Sequence, residues 1–228
     1  QPISAYPNLA LAIEFIIVVG GVFLLYLAIH YLRLYARRSI LGRARRRVLQ
    51  EAFPDFCYQP YADPQDIAGL SKFPALAEKL HSNTLNILFD APSEIYNLID
   101  DHQDNIDRSI FDLRTASKPV SGGRAYAETN TVFLINLPEH TLTPFSLVHT
   151  SNGDPQREAV IKLFDKSLVD FFRVHSLLFT YGSLEVEPNV ILFHHAQRLD
   201  PEGIRSTLDI LTKLTGLLID QSGFDPSG

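Results

Sequence analysis

Hydrophobic and polar positions fall into three regimes along the chain. From Leu9 to Leu32 nearly every position is apolar, and Glu14 and His30 are the ionisable exceptions. Those 24 residues would span roughly 36 Å as a helix at about 1.5 Å per residue, against a bilayer core of about 30 Å. The pattern predicts a transmembrane helix over 9–32 behind a short outer segment, 1–8. A secretory signal would place its positive charges before the apolar run, whereas here they follow it. The second regime, Arg33 to Arg47, holds seven arginines and no acid. It predicts a basic juxtamembrane helix over 33–50 with a bend at Gly42. Cations collect on the cytoplasmic side of spanning helices, so the N-terminus is expected outside and the remainder inside.

The third regime is amphipathic. A Pro/aromatic linker over 51–65 sets Pro54, Pro60 and Pro64 among Phe53, Phe56, Tyr58 and Tyr61, which suits neither a helix nor a central strand. Beyond it, 66–228 is expected to form one domain. Pro74 to Ser82 predicts a short helix and Leu85 to Phe89 a short apolar segment. Ser93 is placed to cap a helix through Asp100 with Ile95, Leu98 and Ile99 on one face. Alternation over Ser109–Thr115, Ala127–Leu137 and Phe145–His149 predicts strands, the first two separated by a Gly122-Gly123 turn. Pro155 to His175 has helical spacing. Ser183–Val186 and Val190–His194 predict a hairpin about Glu187-Pro188-Asn189. Asp200 and Pro201 open a last helix carrying Ile204, Leu208, Leu211, Leu214 and Leu218, with Gly216 interrupting near its end. The expected fold is a single N-terminal transmembrane α-helix followed by one α+β domain, an antiparallel sheet with helices on one face.

Charge sharpens the division. Of 20 Lys and Arg, seven lie in 33–47, leaving 13 after it; of 26 Asp and Glu, only Glu14 precedes Val48, leaving 25. The inner domain therefore carries a net charge of about −12. Such a domain is repelled by phosphate backbones, which argues against nucleic acid as a partner. The collar of Arg33, Arg37, Arg38, Arg43, Arg45, Arg46 and Arg47 is expected to meet anionic lipid. Cys57 is the single cysteine, so an intrachain disulfide and a thiolate cluster are both excluded. A chain without Met that starts at Gln1 fits a presequence removed in an organelle, or ordinary trimming.

Candidate chemistry is sparse. Asp100, Asp104 and Asp107 would share one helix face, but the run lacks the glycine and final glutamate of a calcium loop. His194 and His195 are adjacent, so on a strand they point to opposite faces and do not readily share one metal. No nucleophile elbow, P-loop or dinucleotide fingerprint occurs. Neither a cofactor nor catalysis is expected. The more informative residues are Glu14, Gly20, Gly21 and Ala28, a small and ionisable stripe of the kind that packs against another helix in lipid. Phe53, Phe56, Tyr58 and Tyr61 need cover from the domain or from a partner. The expected role is a non-catalytic accessory or assembly subunit among integral membrane proteins, in a bacterial plasma membrane or an organellar inner membrane. A membrane-tethered sensory domain that binds a ligand is the alternative, and an enclosed pocket would distinguish it.

Overall fold

The computed structural model describes residues 7–73, 76, 94–103, 105–117, 126–147 and 164–222. The chain divides into two compact units, 1–45 and 46–228. The first is helical: α1 runs without a break from Pro7 to Ala52, through Gly42, where the glycine predicts a bend. Its apolar residues between Ile13 and Ile29 are almost all exposed. Among the described residues, no helix is long and apolar enough to cross a membrane.

The second unit is an α+β domain built on a seven-stranded antiparallel sheet. Its strands are β1 (Cys57–Tyr61), β2 (Glu94–Gln103), β3 (Ile106–Ser117), β4 (Tyr126–Asn136), β5 (Phe145–Leu147), β6 (Gly182–Glu187) and β7 (Val190–His195). They are ordered β1-β2-β3-β4-β7-β6-β5. Among the described residues the helices that follow in this unit include α2 (Lys166–Val174), α3 (Ser176–Thr180) and α4 (Pro201–Ser222).

Alternation along the central strands sorts their side chains onto two cores. On one face Ile110, Phe133, Ile135, Ile191 and Phe193 pack with Leu168 and Phe172 of α2, Phe179 of α3, and Ile204, Leu211, Leu214 and Leu218 of α4. The last turns of α1 join this core through Leu49, with Phe53 behind it. On the opposite face Phe111, Leu113, Val132, Leu134 and Leu192 are covered by Ile67, Leu70 and Phe73, which come from a segment with two 3-10 turns. Gly69 joins those turns at φ +83°, and a Cβ there would sit 3.0 Å from Val190. A side chain there would be strained in φ and would press on Val190, so glycine suits the position.

One expectation is corrected here. The helix predicted from Ser93 through Asp100 is β2 instead, paired with β1 and β3. Ile95, Leu98 and Ile99 owe their helix-like spacing to a bulge between Tyr96 and Ile99, where Asn97 adopts φ 51°. The extra residue shifts the period of two, so Ile95 and Leu98 lie on the same face at a spacing of three. Within the Pro/aromatic stretch, which suits no central strand, β1 lies at the sheet edge, and Pro60 is accommodated because among the described residues one side of it has no ladder to join.

The helix predicted over Pro155–His175 is described only from Phe164 onward. It begins at Lys166, since Asp165 has an extended backbone and caps it by accepting from the Leu168 amide at 2.9 Å. The 74–82 helix apart from Leu76, the 85–89 segment and the Gly122-Gly123 turn lie outside the described residues. At the C-terminal helix the reading holds: Asp200 accepts from the Gly203 amide at 2.8 Å and α4 follows, continuing through Gly216 to Ser222.

Candidate functional site

The predicted helix-packing residues lie in α1. Glu14, Gly21 and Ala28 are exposed and Gly20 is half-buried; a Cβ added at Gly20 or Gly21 would meet nothing within 4 Å. The backbone there is open to close approach by another helix. Of the arginine collar, the side chains of Arg33, Arg37, Arg38 and Arg43 lie outside the described residues. Arg45 is half-buried, while Arg46 and Arg47 belong to the domain's own unit. Arg46 stacks 5.7 Å over the Tyr58 ring and donates to Gln50 at 3.2 Å. Arg47 pairs with Glu51 at 2.9 Å with both groups exposed, an interaction of little stabilising value.

The aromatics assigned to partner docking are covered largely by the domain itself. Phe53 is buried and touches Phe56 edge-on, with ring centroids 5.4 Å apart. Arg205 of α4 lies 5.7 Å over the Phe53 ring and donates to the Ala52 carbonyl at 2.7 Å. That arginine satisfies a terminal carbonyl of α1 and places a cation at the helix's negative end. Tyr61 meets Tyr96 edge-on at 5.6 Å. What remains for a partner is the half-exposed surface of Phe56, Tyr58 and Tyr61.

Tyr58 also opens a buried polar chain that sequence inspection does not reveal. Its hydroxyl donates to Asn97 Oδ1 at 2.8 Å, and Asn97 Nδ2 donates to Asp112 at 2.8 Å. Asp112 is 2% exposed and also accepts from Arg198 Nε at 3.0 Å and from Thr131 Oγ1 at 3.3 Å. Thr131 in turn accepts from the Leu199 amide at 2.9 Å. A buried carboxylate is tolerable only with such partners. The chain links β1 to β4 and fixes the segment that leads into α4. Its members are distant in sequence, and only the register Asp112 opposite Thr131 brings them together.

Carboxylates of the acidic run gather at the β1 edge. Asp55, Cys57, Asp66, Ala68, Asp100, Asp101, His102, Asp107 and Ser109 line a cleft of about 450 Å³. Register explains the convergence, since Cys57 lies opposite Asp100 and Asp100 opposite Ser109. Asp100 and Asp107 are therefore on neighbouring strands, not on one helix face; Asp104 lies outside the described residues. Arg108 neutralises Asp101 at 2.8 Å. Burial pushes the Asp100 carboxyl above its usual range; a hydrogen bond from Ser109 opposes this and the charge of Asp107 adds to it. Burial also acts to raise Asp107, but hydrogen bonds from His102 and Asn136 and the charge of His102 together outweigh it and hold that carboxyl low. Among the described residues, no three His, Cys, Asp or Glu side chains are placed to hold a metal ion.

The histidine pair is divided between separate partners. His194 Nε2 lies 3.0 Å from the Asn130 amide, whose nitrogen, once the amide is oriented to satisfy both ends, donates to the Ala196 carbonyl at 2.8 Å. His195 Nδ1 meets the Gln197 backbone instead, accepting from its amide at 3.2 Å.

No family model and no curated protein matches the chain. Among solved structures it is similar to the crystal structure of the mycobacterial trehalose monomycolate transport factor A, TtfA. The identity is 16% and the TM-score 0.44, over 78% of this chain and 94% of that one.

Proposed function

We propose that the chain is a non-catalytic accessory subunit of a larger membrane protein complex. In this reading α1 anchors it in the bilayer by a single span with the N-terminus outside. The arginine collar lies against anionic lipid on the cytoplasmic or matrix-like side, and the acidic domain docks on partner subunits there.

The observation that carries the reading is the apolar surface of α1. Phe15, Ile16, Ile17, Val18 and Val19 are consecutive and each 50–69% exposed. Five residues cover more than a full turn at about 3.6 residues per turn, so this stretch offers water no polar face. A helix apolar on all sides belongs in lipid or among other helices. The described side chains from Ile13 to Ile29 alone are too short for a span, and the reading rests on the longer apolar sequence run Leu9–Leu32 that contains them. Glu14, Gly20, Gly21 and Ala28 provide the side on which a second helix would pack.

The inner domain supplies the second contact. Its edge cleft is open and lined by carboxylates, so a cationic protein surface is the matching partner and anionic headgroups are not. A pocket for a small ligand would ordinarily be apolar with a few convergent polar groups. That contrast favours docking over the sensory alternative.

The test is purification of the full chain in mild detergent after membrane fractionation. The expected result is recovery in the membrane fraction together with integral membrane proteins. Gly21→Leu is expected to release those proteins while the domain's melting temperature stays unchanged. A chain recovered in the aqueous fraction, or monomeric and without partners in detergent, overturns the reading.

A further inference from the structure

We draw no further inference here: the strongest candidate, the acidic cleft lined by Asp55, Asp66, Asp100 and Asp107 at the β1 edge of the sheet, belongs to the site already described, and nothing in the structure shows what fills it.

Discussion

Asp112 and Asp100 are both carboxylates of the central sheet, yet their surroundings set opposite consequences for removing them. Asp112 accepts from Asn97, Arg198 and Thr131. Asp112→Ala leaves the Asn97 and Thr131 donors unpartnered in the interior while Arg198 stays in reach of water, and is expected to cost about 1–3 kcal/mol, the scale for an unsatisfied buried polar group. Chemical denaturation would read this as a lower midpoint at an unchanged slope. Asp100 has its carboxyl pushed up by burial, so the folded chain holds that proton more tightly than the unfolded chain. Its contribution to stability is present below the unfolded pKa and is lost as pH rises through the folded one. Asp100→Asn removes the ionisation, so it should raise the melting temperature at pH 7 and leave it nearly unchanged at pH 3. Asp107 is held low, and its sign reverses: it stabilises above the unfolded carboxylate pKa and loses that as pH falls through the folded one. Asp107→Asn should therefore lower the melting temperature at pH 7, and by less as pH falls below the unfolded carboxylate range. Equal shifts at both pH values, for either variant, would show that ionisation is not the cause.

Elements differ in how plainly they are written in the chain. The β6–β7 hairpin and α4 are legible because local signals agree with tertiary burial: alternation flanks Glu187-Pro188-Asn189, and Asp200-Pro201 caps a three-and-four repeat. β2 is not, because the bulge at Asn97 imitates helical spacing. The bulge becomes visible only once β1 and β3 are paired on either side. For the same reason the acidic run resembles a helix face, whereas the cleft arises from strand register. Phe53 signals a need for cover but not its source, which is the domain's own core and Phe56 together with Arg205, some 150 residues further along. The end of α1 is the element whose role in the domain is least evident beforehand. Leu49 is 1% exposed among strand and helix side chains, so Leu49→Ala in the full chain should cost about 2–5 kcal/mol. A cost below about 0.5 kcal/mol, measured by denaturant unfolding of the domain, would mean that α1 merely abuts it. Gly182 makes the complementary point at β6. A Cβ there would press into the Phe193 ring and lie 3.0 Å from the His194 carbonyl. Gly182→Ala should destabilise by about 1–3 kcal/mol through overpacking.

At the scale of the whole molecule the proposed role divides into two attachments with different physics. Helix packing in lipid depends on close backbone approach and does not weaken with ionic strength. Docking through an acidic cleft is electrostatic and is screened over about 10 Å at 0.1 M salt and about 3 Å at 1 M. The two contributions are therefore separable without disturbing the fold. In membranes solubilised in mild detergent, about 1 M salt should strip partners held by the inner domain while leaving those held by α1. Asp55→Asn combined with Asp66→Asn should reproduce that pattern at low salt, because both residues are exposed cleft-lining carboxylates outside the buried Asp112 network. Gly21→Leu should do the reverse, loosening the salt-resistant set and sparing the salt-sensitive one. Quantitative mass spectrometry of the co-purified proteins distinguishes the cases. If salt and the Asp55/Asp66 variant leave every partner in place, the acidic domain is not a docking surface and its charge serves only to hold it off the membrane.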